Sequence, residues 1–267
     1  MLFARTQSIL KKVLPDRVFE CLYRVATAGY YAKQGIADWW WYHIDTHTYR
    51  VKTLLAVKPY TMVGRKGLIV TYNAIKHAEL NKIEGGIVDC GVARGGSATL
   101  MILTSSIYRQ STLETRSAWL FDSFEGLPEP TAEDGVLRRP QGKDKSSWDL
   151  AKGYCLGTQE EVEDLLFGEF GFSRDKVHLV KGWFQDTLPE YREQVGNIAV
   201  LRIDGDWYES TKCCLENLYE QVVDDGYVII DDYALVGCRR AVDEFFSGRS
   251  KKPEVVLDGR GGGWFKK

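Results

Sequence analysis

The stretch GGIVDCGVARGGSATLM, residues 85–101, joins a short apolar run to a glycine-rich turn and then to a helical pattern. The apolar run predicts a strand that ends at Asp89, and a helix is expected to begin near Ser97, whose hydroxyl can cap it. The bend between them contains Gly91, Gly95 and Gly96. In open α/β sheets, ligands bind outside the carboxyl ends of the strands, where glycines let the backbone come close. Because the GxxxGG spacing differs from the dinucleotide motif GxGxxG, this turn alone indicates either a cofactor site or tight packing.

A regular alternation surrounds this stretch from about residue 60 onward. Short runs rich in Val and Ile alternate with segments whose apolar residues recur at helical spacing. Such alternation predicts right-handed βαβ units, and therefore an α/β fold with a doubly wound, mostly parallel sheet. The runs expected to form strands are 87–88, 119–121, 177–180, 198–203, 227–230 and 255–257, followed by a last strand at 264–265 after the turn 259–263.

The composition is that of a folded protein, with 44% of the 267 residues hydrophobic and 27% charged. The 35 Lys and Arg nearly balance 37 Asp and Glu, and the formal net charge of −2 argues against a dedicated nucleic-acid binder. No apolar run approaches the roughly 18 residues of a membrane-spanning helix, and the first residues are too polar for a secretory signal. We therefore expect a cytoplasmic protein without a transmembrane segment. Its six cysteines show no CxxC spacing and are expected to be free thiols.

The first 56 residues differ from the rest of the chain. They contain eight Lys or Arg against four Asp or Glu, and they include the aromatic run Trp39–Tyr42. A basic, aromatic-rich helical segment can lie on a membrane surface or on a partner. The favoured interpretation is a helical cap whose aromatic side chains contact the main domain or a second subunit of a homo-oligomer. We therefore predict an N-terminal helical extension over 1–56 and one α/β domain over 57–267.

One long segment interrupts the alternation of strands and helices. Residues 129–157 (EPTAEDGVLRRPQGKDKSSWDLAKGYCLG) are polar and weakly periodic. Connections of this length in a compact domain are usually either functional or disordered. We predict that this segment is a lid over the active site.

An acidic residue follows the second predicted strand. In AWLFDSFEGLP, residues 118–128, the apolar run continues directly into Asp122 and Ser123. In nucleoside-binding folds an acidic residue at this position binds the ribose hydroxyls, because one carboxylate can accept hydrogen bonds from both neighbouring OH groups. Alone, Asp122 fits a helix cap equally well. Together with the glycine turn one strand earlier, it favours a ribose site.

Two further strands each end in a pair of carboxylates, in LRIDGDWYES (201–210) and YVIIDDYA (227–234). The four residues, called the aspartate cluster below, are Asp204, Asp206, Asp231 and Asp232. Like charges at one sheet edge repel, and burying them unpaired is costly, so a cation is the natural partner. Oxygen ligands without nearby Cys or His indicate Mg²⁺, with Ca²⁺ or Mn²⁺ as alternatives. Helix caps and solvated loops would explain one pair but not both. Four other polar residues near strand ends are expected to have surface or structural roles: Arg94, His178, Lys181 and Arg202.

The ordered set of these motifs resembles the macrocin O-methyltransferase family. That family comprises S-adenosylmethionine-dependent, Mg²⁺-dependent enzymes that methylate sugar hydroxyls of natural products such as macrolides and aminocoumarins. The resemblance covers about residues 60–267 and implies the Rossmann-like fold of class I methyltransferases. The motifs that carry it are YTMVG (60–64), DCGVARGG (89–96), DSFEGLP (122–128), KGWFQDTLP (181–189), LRIDGDWYEST (201–211), DGYVIIDDY (225–233) and GCRRAVDEF (237–245).

The resemblance also implies a role for each matching position. Metal ligands fall on Asp204, Asp231 and Asp232, and the general base falls on Asp206, which makes Asp204 and Asp206 the implied catalytic pair. Family members often have Glu where this chain has the shorter Asp89. The implied cofactor-binding residues are Thr61, Met62, Asp89, Gly91, Arg94, Gly95, Gly96, Ser97, Asp122 and Ser123.

The predicted activity is methyl transfer from S-adenosylmethionine to one hydroxyl of a vicinal diol, on a sugar or glycosylated metabolite. Two alternatives remain open at the level of sequence. A metal-dependent glycosyltransferase could use the Asp-x-Asp at 204–206, although it leaves the second acidic pair and the glycine turn unexplained. A non-catalytic cofactor-binding protein could keep the same fold, although it has no reason to keep four mutually repelling carboxylates.

Overall fold

Seven strands form one sheet in the computed structural model, which describes residues 48–109, 114–135, 153, 155–250 and 252–267. The strand order is β3-β2-β1-β4-β5-β7-β6. The strands are β1 (Gly86–Cys90), β2 (Ala118–Asp122), β3 (Val177–Lys181), β4 (Ile198–Ile203), β5 (Val222–Ile230), β6 (Val256–Leu257) and β7 (Gly263–Lys266).

Helices connect these strands, as the alternating pattern predicts. Short 3₁₀ turns add Lys58–Tyr60, Ala132–Asp134 and Tyr219–Gln221, and a π-helical turn at Asp164–Glu169 continues α4. The α-helices within the described ranges are α1 (Thr48–Val57), α2 (Arg65–Leu80), α3 (Gly96–Tyr108), α4 (Gln159–Glu163), α5 (Phe184–Val195), α6 (Tyr208–Leu218) and α7 (Val236–Ser247).

The five strands β1 to β5 are parallel, and β7 pairs antiparallel with β5 at one side of the sheet. The chain runs from β1 outward to β3, then returns to the other side of β1 to begin β4. This reversal opens a crevice outside the carboxyl ends of β1 and β4, the position where α/β sheets bind ligands. The predicted doubly wound, mostly parallel sheet is confirmed.

Two apolar layers cover the two faces of the sheet. On one face, Val88 and Leu201 contact the buried sides of α5, α6 and α7. On the other, Ile87 and Val200 contact α2, α3 and α4. Neighbouring strand residues enter opposite layers because successive side chains of a strand point to opposite faces. A strand covered on both faces has a continuous apolar sequence, and for this reason the apolar runs predicted the positions of the strands.

The predicted strands are all present, with small changes at their ends, but the predicted helix cap is wrong. Helix α3 begins at Gly96, and the residue before it, Gly95, adopts a left-handed φ of +85° that suits glycine. Ser97 is therefore inside the helix, and its hydroxyl donates to Asp89 Oδ2 at 2.8 Å.

Only the end of the predicted N-terminal extension, residues 48–56, belongs to the described part of the chain, and the aromatic run 39–42 lies outside it. Among the described residues, no helix combines the length and apolar character needed to cross a membrane. The five cysteines within those ranges are free thiols, as predicted.

A buried acid holds three segments together at the amino edge of the sheet. Glu79, at the end of α2, accepts from Ser105 Oγ at 2.6 Å, from Arg116 Nε at 2.7 Å and from Arg109 Nη1 at 2.9 Å. Burial alone would raise the pKa of Glu79, but the hydrogen bonds from Arg116 and Ser105 outweigh it and lower the pKa. Glu79 therefore fastens α2 to the end of α3 and to the entry of β2.

We predict that Glu79→Gln lowers the free energy of unfolding by about 3–5 kcal/mol at neutral pH, because it leaves Arg116 buried without its counter-charge. The wild-type contribution is complete above the ordinary pKa of 4.5 and is lost as the pH falls through the lowered value. Urea denaturation between pH 3 and 7 measures both effects. Glu114→Gln, which breaks an exposed pair with Lys176, is the matched control and should cost less than about 1 kcal/mol. Equal losses in the two variants would contradict the prediction.

Candidate active site

A cavity of about 660 Å³ lies at the carboxyl edge of the sheet. Loops that follow β1, β2, β4 and β5 contribute to its wall, so it occupies the crevice that the strand order creates. Most of the predicted site residues line it: Thr61, Met62, Gly91, Arg94, Ser97, Asp122, Ser123, Asp204, Asp206, Asp231 and Asp232.

Three of the predicted cofactor residues lie behind this wall, not in it. Asp89 is fully buried and holds the hydroxyl of Ser97. Gly95 faces the side chains of Val162 and Leu165, and Gly96 faces the backbone of Tyr60. These residues shape the cavity by supporting the turn, while Ser97 and Arg94 from the same turn line it.

Asp122 ties the glycine turn to the end of β2. Its Oδ2 accepts the backbone N–H groups of Val92 and Ala93, each at 2.8 Å, and its Oδ1 accepts that of Phe124 at 2.7 Å. Burial raises the pKa of Asp122, and these backbone hydrogen bonds only partly oppose the increase. A carboxylate has about four lone-pair sites, so Asp122 keeps acceptor capacity for a ligand.

A short segment, residues 58–63, crosses the glycine turn and is called the strap below. A Cβ atom on Gly96 would lie 2.6 Å from the carbonyl oxygen of Tyr60, so the strap rests directly on the turn. The hydroxyl of Tyr60 donates to Glu169 at 2.7 Å. Thr61 and Met62 then continue along the cavity wall, as the YTMVG motif implied.

Three carboxylates of the aspartate cluster converge. One oxygen from each of Asp204, Asp206 and Asp232 lies within 4.8 Å of the others. Burial, then repulsion from Asp204 and Asp231, raises the pKa of Asp206 to about 7. Burial, then repulsion from Asp204 and Asp206, also raises the pKa of Asp232. Such a group favours a bound cation, and oxygen-only ligands fit the preferences of Mg²⁺.

Asp231, the fourth member of the cluster, faces two guanidinium groups. Its Oδ1 accepts from Arg202 Nη2 at 2.8 Å and also pairs with Arg260. Burial would raise the pKa of Asp231, but the charges of Arg202 and Arg260 outweigh it and lower the pKa. The geometry therefore groups Asp206, and not Asp231, with Asp204 and Asp232, whereas the family resemblance assigned Asp231 to the metal.

Arg202, which the sequence placed near a strand end, is fully buried. Its guanidinium contacts Asp89 at 3.0 Å and Asp204 and Asp231 at 2.8 Å each. The signal in the sequence was a charged residue inside the apolar run of β4. A buried strand accepts such a residue only when acidic partners compensate its charge.

The start of the predicted lid is anchored by a residue that the sequence analysis did not single out. Asp134 is buried, and its Oδ1 accepts the backbone N–H of Tyr208 at 2.6 Å, while its Oδ2 accepts that of Thr131 at 2.8 Å. Trp207 Nε1 donates to the carbonyl of Pro128 at 3.1 Å. The signal was the capping-box pattern of Thr131 and Asp134.

The other end of the predicted lid also reaches the cavity. Cys155 lines it, and a Cβ on Gly157 would lie 2.1 Å from the carbonyl oxygen of Ala93 in the glycine turn. Residues 136–152 and 154 of the predicted lid lie outside the described residues.

The strand order and the cavity at its reversal define the class I methyltransferase fold. A solved structure of the O-methyltransferase NovP matches with a TM-score of 0.65 at 32% identity, over 78% of this chain and 82% of that chain. The calicheamicin methyltransferase CalS11 matches with a TM-score of 0.55 at 20% identity, over 74% of this chain and 77% of that chain, and supports the fold. Residues 30–267 match the family described as Macrocin-O-methyltransferase (TylF), and the chain belongs to this family. The match begins inside the predicted N-terminal extension, 30 residues before the motifs that carried the resemblance.

Curated relatives are also named as O-methyltransferases. An 8-demethyl-8-(2,3-dimethoxy-alpha-L-rhamnosyl)-tetracenomycin-C 4'-O-methyltransferase from Streptomyces olivaceus is 37% identical over 207 residues, 77% of this chain and 75% of that protein. A demethyldecarbamoylnovobiocin O-methyltransferase from Streptomyces niveus is 34% identical over 209 residues, 78% of this chain and 76% of that protein. The chain is therefore an O-methyltransferase. This favours a methyltransferase role for Asp204 and Asp206 over the role of an Asp-x-Asp motif in a glycosyltransferase.

We predict that Gly91→Ala destabilises the protein strongly, because its Cβ would lie 1.9 Å from the carbonyl oxygen of Asp204. Gly171→Ala is the matched control, since Gly171 also has a positive φ but has no atom within 4 Å of its Cβ position. The control should lose only the conformational cost of about 1–2 kcal/mol, and Gly91→Ala should lose several kcal/mol more. Urea denaturation compares the two variants, and similar losses would show that β1 and β4 do not meet as described.

Proposed function

We propose that the protein transfers a methyl group from S-adenosylmethionine to one hydroxyl of a vicinal diol, on a sugar or glycosylated natural product, with Mg²⁺ as the metal. The observation that carries this proposal is that Asp122 and the glycine turn share one cavity with the aspartate cluster. The relatives support the substrate class, since one is named for a rhamnosyl-tetracenomycin and another for demethyldecarbamoylnovobiocin.

For the cofactor, we assign the ribose to Asp122, which already accepts backbone donors and has lone pairs left for hydroxyl groups. Gly91, Arg94 and Ser97 would hold the methionine part at the other side of the same turn. The strap would cover it, with Thr61 and Met62 in the wall. Asp89 acts from behind by holding Ser97, which explains how a shorter acid at this position still serves the site.

For the metal, we assign Asp204, Asp231 and Asp232 as ligands, in line with the family resemblance. Both guanidinium contacts of Asp231 are made to Oδ1, which keeps Oδ2 available as a ligand. When bound, a divalent cation lowers the pKa of a coordinated hydroxyl and fixes its orientation.

We assign Asp206 as the general base that accepts the hydroxyl proton as the methyl group is transferred. Asp206 has a left-handed φ of +58°, a conformation that Asp tolerates better than most residues. Both Asp204 and Asp206 line the cavity, so the base stands next to the place where the metal would hold the acceptor. A base within hydrogen-bonding reach of the acceptor contributes typically 10²–10⁴-fold to the rate.

The lid assigned to 129–157 would exclude water from this cavity. The described parts of both its ends support the assignment, since Glu129 and Cys155 line the cavity and Asp134 is anchored to the first residue of α6. We also retain the division of the chain into an N-terminal extension over 1–56 and a catalytic domain over 57–267.

We predict that Asp122→Asn weakens binding of S-adenosylhomocysteine by about 10–100-fold, because hydrogen bonds to a charged acceptor contribute about 1.5–3 kcal/mol. Isothermal titration calorimetry measures the change. Asp224→Asn, an exposed substitution at the start of β5, is the control and should bind like the wild type. A wild-type protein stabilised by uridine diphosphate, and not by S-adenosylhomocysteine, in a thermal-shift assay would refute the cofactor assignment.

We predict that Asp232→Asn loses both Mn²⁺ binding and turnover, because it removes a ligand, and that Asp206→Asn keeps Mn²⁺ binding but loses about 10²–10⁴-fold in turnover. Mn²⁺ titration followed by electron paramagnetic resonance and a methyl-transfer assay with a diol acceptor separate the two roles. Removal of the metal with a chelator should stop turnover of the wild type, and added Mg²⁺ should restore it. If Asp206→Asn also loses the metal, Asp206 is a ligand and the base assignment is wrong.

A further inference from the structure

A continuous line of buried hydrogen bonds joins the two sides of the cavity. Ser97 Oγ donates to Asp89 Oδ2 at 2.8 Å, and Arg202 Nη1 donates to Asp89 Oδ1 at 3.0 Å. The other terminal nitrogen, Arg202 Nη2, donates to Asp204 Oδ2 and to Asp231 Oδ1 at 2.8 Å each. This line is called the buried relay below. Its two ends line the cavity, Ser97 on the side of the glycine turn and the two aspartates on the side assigned to the metal.

The middle of the relay is closed to solvent. Asp89 and Arg202 both have 0% exposure, so neither can exchange its partner for water. Among the described residues, Arg202 Nε has no hydrogen-bond acceptor. Three carboxylates therefore supply the hydrogen bonds that position the guanidinium. A displacement of one carboxylate shifts the guanidinium and so alters its hydrogen bonds to the other two.

The guanidinium is suited to transmit such a change. It is a rigid plane whose terminal nitrogens keep a fixed geometry, unlike the single ammonium of lysine. One nitrogen serves the acid behind the glycine turn, and the other serves two acids of the aspartate cluster. A cation bound through the remaining oxygens of Asp204 and Asp231 would fix these two carboxylates in place, and the guanidinium plane would hold Asp89 and Ser97 in the matching position.

We propose that Arg202 is a positioning residue that couples occupancy of the cofactor side of the cavity to occupancy of its metal side. This inference rests on the proposed function. The ligand that binds first orders the relay, so the second ligand meets a pre-ordered site and binds more tightly. Coupling between two binding sites is reciprocal, and each ligand must change the affinity of the other by the same factor.

The test measures Mn²⁺ affinity by electron paramagnetic resonance, with and without S-adenosylhomocysteine, and S-adenosylhomocysteine affinity by calorimetry, with and without Mn²⁺. Neither readout requires turnover. In the wild type, we expect each ligand to strengthen the other by at least about fivefold, the lower end of typical coupling. In Arg202→Lys, which keeps the charge but not the two-nitrogen geometry, the factor should fall below about twofold.

Arg116→Lys is the matched control. Within the described part of the chain, Arg116 is a second buried arginine beside this sheet, but it pairs with Glu79 and does not line the cavity. We expect Arg116→Lys to lower the melting temperature and to keep the wild-type coupling factor. A purely structural role of Arg202 would give the same pattern in Arg202→Lys, namely lower stability with an unchanged factor, and would overturn the proposal.

Two further variants keep the test decisive if Arg202→Lys does not fold. Asp89→Asn and Ser97→Ala interrupt the buried relay at its other links, and both should reduce the coupling factor while Arg202 is intact. A wild-type coupling factor near one, or unchanged coupling factors in Asp89→Asn and Ser97→Ala, would refute this inference but not the proposed function. Failure of the wild type to bind either ligand would instead refute the proposed function.

Discussion

The guanidinium of Arg202 lies between β1, β4 and β5 and pairs with one aspartate associated with each strand: Asp89, Asp204 and Asp231. Without that cation, the carboxyl edge of the sheet would hold several buried carboxylates that repel one another. Burying a lone guanidinium would be equally unfavourable. The acids and the arginine therefore depend on each other, and their mutual compensation is what lets the acids gather beside the cavity.

The opposite, amino edge of the sheet has the reverse arrangement of charges. There one buried acid, Glu79, is held by Arg109 and Arg116. The two edges thus carry opposite charge excess: Arg202 pairs with three aspartates, one of which also pairs with Arg260, whereas Glu79 lies between two arginines. At the amino edge the charge of the buried acid is fully compensated by the two arginines, which suits a role in stability. The carboxyl edge keeps an excess of negative charge facing the cavity, which suits the recruitment of a cation.

The sequence predicted the sheet well because a strand buried on both faces has an unbroken apolar sequence. It also predicted that the aspartates lie at one edge, because the carboxyl ends of parallel strands lie at the same edge of a sheet. It could not predict the direction of each side chain. Asp89 and Asp122 both end apolar runs, yet Asp89 points behind the cavity wall and Asp122 lines it. Similarly, spacing alone could not show that Asp231 faces Arg260, which follows it by 29 positions in a separate hairpin. The Asp-x-Asp at 204–206 fits two enzyme classes, and membership of the family was needed to separate them.

The close approaches at Gly91, Gly96 and Gly157 bear on how this enzyme could be redesigned. At each one, main chain rests on main chain: against Asp204, Tyr60 and Ala93 respectively. These three main-chain contacts set part of the cavity frame, and the carboxylates of Asp122, Asp204 and Asp231 complete it. Wall residues outside the buried core, such as Trp183 and Gln185, make none of these three contacts, so they are the places to exchange side chains for a different acceptor while the main-chain frame is kept.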